Sequence, residues 1–284
     1  RRVAARSCAR RIAYEDGTAL GSRVGYWVRF DRKATDETEI LVLTEGMLTR
    51  MLQADPFLEG VGAVILDEFH ERSLYSDLAL AMLAEVLASA RPDLKLIVMS
   101  ATLDADPVGD FLGGPEAVPV IGAEGRCFEV EHIHQPVDKD RHLEPQVAAA
   151  VRAAVAADTD GHVLVFLPGV GEIERVRTAL SDLGPGTDVL ALHGRLAPAE
   201  QDRAIAPSVR QKVILATNIA ETSITIDGVT TVVDSGLVRR PRFDPRLGVE
   251  RLETVPISVA SADQRAGRAG RTRPGRCIRL WSAS

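Results

Sequence analysis

Residues 63–72 read AVILDEFHER, an aliphatic run that leads directly into the adjacent carboxylates of Asp67 and Glu68. A short aliphatic run of this kind predicts a strand buried on both faces, as in a parallel sheet. The carboxylates would follow the carboxyl end of that strand, where open α/β sheets bind their ligands. Mg²⁺ takes only one or two protein carboxylates, so both residues are candidate ligands and Glu68 is a candidate base for an activated water. An ordinary charged strand end is the alternative interpretation.

Other short aliphatic segments alternate with Ala-rich amphipathic segments along the chain. This alternation predicts parallel sheets covered by helices on both faces. A chain of 284 residues is long enough for about two domains, and the Gly- and Pro-rich residues 109–126 predict a boundary near residue 122. The predicted strands are 39–44, 63–68, 94–101, 162–169, 188–194, 212–218, 230–236 and 275–281, and the predicted helices are 76–90, 143–157, 171–183 and 198–205.

Composition narrows the class of protein. No apolar segment approaches the roughly 20 residues that span a bilayer, and three widely separated cysteines do not suggest a disulfide framework. We therefore expect a cytoplasmic protein without a membrane part. The net charge is −6, yet residues 239–279 contain eleven arginines and only four acidic residues. Such a positive stripe suits a polyanion such as nucleic acid or nucleotide phosphates, with a solvated charged face as the alternative.

The most specific string is QRAGRAGR at residues 264–271. Its arginines, Arg265, Arg268 and Arg271, recur every three residues, so on a helix they would be neighbours on one face. Guanidinium groups match phosphate oxygens in shape and charge. Because three such groups would repel one another on a bare surface, the spacing predicts an anionic partner.

Two further strand ends carry polar side chains. The string SAT at residues 100–102 closes one aliphatic run, where hydroxyl side chains commonly cap the backbone. Residues 216–229, ATNIAETSITIDGV, follow another run and end near Asp227. Taken alone, this second string is equally consistent with a simple strand–loop–strand connection.

Together these strings resemble the DEAH-box helicases of superfamily 2, and Phe69 within DEFHERS is typical of the bacterial HrpB-type group. The resemblance implies an α/β fold with two RecA-like parallel-sheet domains in tandem. Residues 1–122 would form the first domain, incomplete at its N-terminus, and residues 123–284 the second. The strings that carry the resemblance are RRVAA (1–5), TEGML (44–48), DEFHERS (67–73), SAT (100–102), FLPG (166–169), TNIAETSITIDG (217–228) and QRAGRAGR (264–271).

The resemblance implies an ATP-dependent RNA helicase that uses ATP and Mg²⁺, with the nucleotide bound between the domains. Asp67 and Glu68 match the magnesium and water-activating pair, and His70 matches the residue that links this pair to the second domain. Ser100 and Thr102 match residues that couple hydrolysis to strand contact.

Residues of the second domain complete the implied nucleotide site. Arg268 and Arg271 match the arginines that reach the γ-phosphate, and Gln264 matches a residue that helps to place water. Gly267 belongs to the same nucleotide-binding string, and Asp227 would approach the ribose.

The implied partner is single-stranded nucleic acid, with RNA favoured, bound by a monomeric core. Residues 236–255 resemble the β-hairpin that lies against the nucleic acid in this family. The positions matching contacts along the nucleic-acid backbone are Arg2, Thr44, Gly169, Thr217 and Thr222.

The sequence also departs from the family pattern. The phosphate loop GxxxxGKT would precede residue 1, and the usual C-terminal domains would follow residue 284, so we expect a fragment that is inactive by itself. Ile205 lies where many relatives carry an aromatic residue that stacks on the base, which leaves other nucleoside triphosphates open as substrates. The alternatives are a non-catalytic nucleic-acid-binding remnant and a DNA-directed translocase of the same superfamily.

Overall fold

The computed structural model describes residues 2–100, 106–114, 116–122, 128–138, 140–221, 224, 226–244 and 248–283. The chain divides into two compact units, Arg1–Glu124 and Gly125–Ser284. Among the described residues, none of the helices combines the length and the hydrophobicity needed to cross a bilayer.

The first unit contains two small sheets. Strand β1 is the central strand of the first sheet, with β2 antiparallel on one side and β3 parallel on the other, and β4 pairs with β5 in parallel. Its elements are α1 (Arg2–Glu15), β1 (Val24–Val28), β2 (Asp31–Lys33), β3 (Ile40–Leu43), α2 (Glu45–Ala54), β4 (Ala63–Leu66), a 3₁₀ turn (Phe69–Glu71), α3 (Leu74–Ser89), β5 (Lys95–Val98) and α4 (Asp106–Phe111).

Helix α1 covers one face of β1 through small side chains. Ala5, Ala9 and Ala13 recur every four residues and therefore lie on one face of the helix. They pack against Val24 and Tyr26 of β1 in one buried cluster. The rest of the helix carries arginines, so its apolar face is a narrow alanine stripe.

The second unit is built around a six-stranded sheet in the order β6-β13-β10-β7-β9-β8, in which every neighbouring pair is parallel. A separate antiparallel hairpin is formed by β11 and β12. The elements are β6 (Val130–His134), α5 (Leu143–Ala157), β7 (His162–Phe166), α6 (Val170–Ala179), β8 (Thr187–Leu192), α7 (Pro198–Ile205), β9 (Gln211–Ala216), a 3₁₀ turn (Asn218–Ala220), β10 (Val229–Asp234), β11 (Leu237–Asp244), β12 (Val249–Pro256), α8 (Val259–Ala266) and β13 (Gly275–Arg279).

The core of this unit lies between the sheet and the helices α5 and α6. Val147 and Val151 of α5 and Ile173 of α6 are fully buried against Val165 of β7 and Leu215 of β9. All five residues of β7 are buried, as expected for a central parallel strand covered on both faces.

The predicted α/β class is confirmed, and each predicted strand and helix is present at its predicted place. The strands end earlier than predicted, because their last polar residues already belong to the turns that follow. Several elements were not predicted: α1, α2, α4, α8, β1 and β2. Helix α1 was missed because its arginines hide the alanine stripe, and β1 and β2 because they are short and rich in charged or aromatic residues.

His162 is buried at the start of β7, next to the turn that precedes β10. Its Nδ1 accepts a hydrogen bond from the backbone amide of Lys212 at 3.3 Å. Gly228 lies against the imidazole with a φ of +83°, and a Cβ added there would lie 3.2 Å from the ring. Burial lowers the pKa of His162, and the charges of Lys212 and Arg273 lower it further.

Because the folded-state pKa of His162 is below its ordinary value of 6.5, unfolding takes up a proton at acid pH. We therefore expect the free energy of unfolding to be steady above about pH 6.5 and to fall as the pH decreases below it. His162→Gln should make this pH dependence shallower in urea titrations followed by circular dichroism. The exposed His142 supplies the control, His142→Gln, which should retain the original slope; identical slopes for the two variants would contradict the prediction.

Candidate functional site

The acidic pair lies on a strained turn at the carboxyl end of β4. Asp67 is exposed, and its Oδ1 accepts a hydrogen bond from the backbone amide of Glu68 at 2.9 Å. Glu68 adopts a left-handed conformation, with φ of 53° and ψ of 37°. A left-handed residue other than Gly costs on the order of 1–3 kcal/mol and persists only where its surroundings fix it.

The end of β5 and a buried aromatic ring provide those surroundings. Met99 donates its amide to the carbonyl of Leu66 at 2.8 Å and accepts from the amide of Phe69 at 3.0 Å, so it holds both sides of the turn. The Phe69 ring is buried in the core of the first unit. The two carboxylates are therefore presented by a rigid turn.

His70 contacts the acidic pair from the same turn. Its Nε2 lies 3.4 Å from Oε2 of Glu68, and the side chain of His70 is largely buried. The contact fixes the direction of the Glu68 carboxylate. The sequence predicted both residues as site members, and the structure brings them together.

The donor set of this turn fits Mg²⁺. Carboxylate oxygens are the protein ligands that this ion prefers, and it needs only one or two because water completes its coordination. Asp67 is exposed at the end of the strand and can reach such an ion directly or through water. No group of three or more His, Cys, Asp or Glu side chains suited to a metal occurs among the described residues, which a site of this kind does not require.

Ser100 lies close to the acidic pair, because β4 and β5 are parallel and in register. Leu66 is paired with Val98, so both chains leave the sheet at the same edge. Ser100 is half-buried there. Thr102, the other predicted hydroxyl, lies outside the described residues.

In the second unit, the arginines of residues 264–271 do not share one helical face, and that prediction is wrong. Helix α8 ends at Ala266, with Gly267 as its C-cap. Arg268 and Arg271 lie in the turns that follow. Gly267 and Gly270 disfavour a continued helix, because glycine loses the most backbone entropy there.

Arg265 is an internal residue rather than an anion-binding one. Its side chain is 1% exposed, and its guanidinium pairs with Asp234 at 2.8 Å and with Glu221 at 2.9 Å. The same group lies 4.8 Å from the centre of the Phe166 ring. Burial raises the pKa of Asp234, and the charge of Arg265 acts against that rise. One signal for this network is visible in the sequence, namely the carboxylate that ends the buried strand β10.

Arg268 holds the loop that follows β9. Its Nε donates to the carbonyl of Glu221 at 2.9 Å and its Nη1 to the carbonyl of Ile224 at 2.6 Å. Arg268 is buried and Arg271 is exposed, and both line a small cavity with Ile224. The two arginines predicted to reach the γ-phosphate are thus neighbours in space.

The remaining predicted nucleotide contacts lie on the same unit. Gln264 is half-buried in the last turn of α8, and Gly267 is exposed. Asp227 is exposed in the turn that precedes β10, three residues after Ile224, whose carbonyl accepts a hydrogen bond from Arg268. The turn continues into Gly228, whose positive φ favours glycine.

The predicted nucleic-acid contacts share a structural position. Thr44, Gly169 and Thr217 are the N-cap residues of α2, of α6 and of the 3₁₀ turn after β9, respectively. Thr44 and Thr217 directly follow the carboxyl ends of β3 and β9, and Gly169 follows β7 after two further residues. Neither threonine hydroxyl makes a side-chain cap hydrogen bond. Backbone amides at helix N-termini are well suited to phosphate oxygens. Arg2 is exposed at the start of α1, and Thr222 lies outside the described residues.

Gly169 is covered by an ion pair between Arg239 and Glu172, whose atoms are 3.0 Å apart. A Cβ at Gly169 would lie 2.8 Å from Nη1 of Arg239 and 2.9 Å from Oε2 of Glu172. Gly169 is buried beneath this pair, and the close packing is possible only because the residue has no side chain.

The positive stripe of residues 239–279 is smaller than the sequence indicates. Folding brings acidic residues from earlier elements against its arginines, and counting charges along the chain misses them. The hairpin expected within residues 236–255 is present, with Phe243 and Leu252 exposed. The ion pairs are Arg239–Glu172, Arg242–Glu253, Arg251–Asp244, Arg265–Asp234, Arg265–Glu221, Arg273–Asp158 and Arg279–Asp263.

Comparison with protein families finds two matches. Residues 12–111 match the DEAD/DEAH box helicase family, and residues 146–273 match the helicase conserved C-terminal domain. The two matches together include the acidic turn, the three N-cap positions and the Arg265–Arg268 region.

Individual relatives agree with these matches. The chain is 50% identical to the ATP-dependent RNA helicase HrpB of Escherichia coli, over 99% of this chain and 34% of that protein. It is 40% identical to human probable ATP-dependent RNA helicase DHX34, over 100% of this chain and 26% of that protein. A crystal structure of the Escherichia coli DEAH/RHA helicase HrpB superposes with a TM-score of 0.90 at 48% identity, covering 100% of this chain and 36% of that one. The chain thus spans a quarter to a third of these relatives.

We predict that Arg265→Met destabilises the second unit by about 3–5 kcal/mol, because it leaves the buried carboxylate of Asp234 without its partner. Urea unfolding followed by circular dichroism measures the loss. The control is Arg203→Met, which replaces an exposed arginine of α7 and should change stability by no more than about 0.5 kcal/mol. Equal stability of the two variants would show that the buried pair contributes nothing.

Proposed function

This chain belongs to the DEAD/DEAH-box helicases, and on that premise we propose that it is the core of an HrpB-type ATP-dependent RNA helicase. The observation that carries the proposal is the rigid turn at the end of β4, which presents Asp67, Glu68 and His70 together. Because the chain spans about a third of HrpB, the activity is proposed for the whole protein. Residues 1–122 and 123–284 correspond to its two RecA-like domains.

In the proposed reaction, Asp67 and Glu68 hold Mg²⁺, partly through water. When bound, the ion would supply positive charge to offset the negative charge of the phosphates. Glu68 orients the attacking water and accepts its proton, which requires a fixed carboxylate within hydrogen-bond reach of that water. The left-handed turn and the 3.4 Å contact with His70 support this role, because both restrict where the carboxylate points.

Residues of the second unit also have proposed roles in the reaction. Arg268 and Arg271 stabilise negative charge on the transferred phosphoryl group, a role that can be worth ~10³–10⁵ in rate. Gln264 helps to place the water, Gly267 leaves room beside the phosphates, and Asp227 contacts the ribose.

The proposed substrate is single-stranded RNA, which the protein binds through the phosphate backbone of the RNA. Thr44, Gly169 and Thr217 support this because all three are N-cap residues close to strand ends, and the first backbone amides of a helix suit phosphate oxygens. Arg2 and Thr222 extend the same contacts. Such a grip is independent of base sequence and weakens strongly with salt. We also propose a monomeric core that acts in the cytoplasm, in line with its sparse cysteines.

We predict that Glu68→Gln in the full-length protein lowers ATP turnover by roughly 10²–10⁴, since the amide cannot accept the proton. Nucleotide should still bind, because an amide of the same shape retains the surrounding contacts. Steady-state phosphate release and titration calorimetry measure the two effects. Glu85→Gln, at an exposed position of α3, is the matched control. Lost nucleotide affinity with turnover preserved would refute the role of Glu68.

The nature of the substrate is tested by ATPase stimulation of the full-length protein. Single-stranded RNA should stimulate hydrolysis more than single-stranded DNA of the same sequence. Stronger stimulation by DNA would favour the DNA-directed translocase. Nucleic-acid binding without any hydrolysis would favour the non-catalytic remnant.

We further predict that Gly169→Ala weakens RNA binding by the full-length protein severalfold, because the new methyl group pushes Arg239 and Glu172 from their places beside the N-cap. Both side chains are long and can move, so the fold should survive. Fluorescence anisotropy with labelled RNA measures the effect. Gly184→Ala introduces a methyl group where nothing lies within 4 Å and should leave binding unchanged. Equal affinities of the two variants would remove Gly169 from the proposed RNA contacts.

A further inference from the structure

The hairpin of β11 and β12 extends from the second unit with little burial along its length. The side chains of Arg239–Phe243 in β11 and of Val249–Thr254 in β12 are exposed, whereas Val238 at the base of the hairpin is buried. An isolated two-stranded hairpin is only marginally stable in water. We therefore expect its direction to depend on contacts near its base.

An ion pair near that base connects the hairpin to α6. Nη2 of Arg239 lies 3.0 Å from Oε1 of Glu172, which is in the first turn of α6. Strands β10 and β7 are parallel, with Asp234 opposite Phe166, so the hairpin leaves the sheet beside the segment that begins α6. Two further ion pairs join the strands of the hairpin to each other, namely Arg242–Glu253 and Arg251–Asp244. Arg239 instead ties the hairpin to the body of the unit.

Glu172 is itself held by a second arginine. Its Oε1 also lies 2.9 Å from Nη2 of Arg175, and Nε of Arg175 lies 2.6 Å from Oε1 of Glu144 on α5. The side chains of Glu144 and Glu172 are each 13% exposed. Four alternating charges, Glu144–Arg175–Glu172–Arg239, therefore form an ion chain that runs from α5 through α6 to β11.

The carboxylate of Glu172 occupies a costly position. Its Oε2 is buried and has no hydrogen-bond partner among the residues that the structure describes. A buried acceptor of this kind destabilises a fold and needs an explanation. The position between two guanidinium groups supplies one, because it lets a single oxygen, Oε1, bind Arg175 and Arg239 together. The positive end of the α6 dipole also favours a carboxylate in the first turn.

From these contacts we infer that Glu172 is a positioning residue for strand separation, because it holds Arg239 and thereby fixes the direction in which the hairpin projects. The inference rests on the proposed helicase function and assigns no RNA contact to Glu172. A hairpin that yields absorbs the movement of the protein instead of transmitting it to a duplex. Without the carboxylate, ATP hydrolysis would separate fewer base pairs.

The anchoring is tested by hydrogen exchange of the full-length protein without RNA or ATP. Glu172→Gln keeps the shape of the side chain and removes its charge, so the hairpin amides should exchange roughly two- to fivefold faster, the size expected of a partly exposed ion pair. Asp182→Asn is the matched control. It breaks the 2.9 Å ion pair of Arg152 with Asp182, which involves α5 but not the hairpin, and should leave hairpin exchange unchanged.

A double variant tests whether Glu172 acts through Arg239. Residues that act through one shared contact are not additive. Hairpin exchange in Glu172→Gln/Arg239→Gln should therefore be no faster than in the faster of the two single variants. Fully additive effects would show that the two residues act independently and would overturn the inference.

The functional readout is the rate of RNA strand displacement divided by the rate of ATP hydrolysis, at saturating RNA and ATP. Glu172→Gln should lower this ratio roughly two- to fivefold, and Asp182→Asn should retain it. A merely structural defect would lower both rates together and leave the ratio unchanged. An unchanged ratio or unchanged hairpin exchange in Glu172→Gln, with the wild type separating strands, would overturn the inference alone. Failure of the wild type to separate RNA strands would overturn the proposed function as well.

Discussion

The second unit depends on the buried ion pair of Arg265 with Asp234 and Glu221. The guanidinium, 1% exposed, joins the end of α8 to the carboxyl end of β10 and to the loop after β9. Its contact with the Phe166 ring adds the end of β7. A buried charge is costly without partners, so the arrangement of these four segments that keeps Arg265 between its two carboxylates is favoured. Arg268 lies three residues after Arg265, so its position follows from the same arrangement.

The parallel sheets explain where the proposed contacts lie within each unit. Each parallel strand leaves the sheet at the same edge, and the residue that begins the next helical segment stands there with its amides facing outward. Thr44, Gly169 and Thr217 occupy this position in different parts of the chain. Asp67 and Glu68 occupy the equivalent place after β4. One rule of α/β architecture thus positions both the acidic turn and the residues proposed to grip the strand.

Much of the fold was predictable because its central strands are short aliphatic runs with clear polar ends. The acidic turn was predictable for the same reason, since DEFHER directly follows such a run. The burial of Arg265 was not, because spacing along the chain does not reveal which acids the sheet brings to an arginine. The left-handed conformation of Phe30, in the turn between β1 and β2, was also missed, since this turn lacks the Gly or Asn that usually signals it. Acidic residues distant in the sequence also neutralise part of the positive stripe of residues 239–279. A count of charges along the sequence does not show this.

The hydrogen bonds from Arg268 to the carbonyls of Glu221 and Ile224 couple the loop after β9 to this side chain. The loop begins at Thr217, a proposed backbone contact, and leads toward Asp227, the proposed ribose contact. Any displacement of this loop must carry the guanidinium with it, because the hydrogen bonds tie the two together. With the proposed roles of Thr217 and Arg268, RNA binding and the position of this guanidinium would be coupled through the two hydrogen bonds.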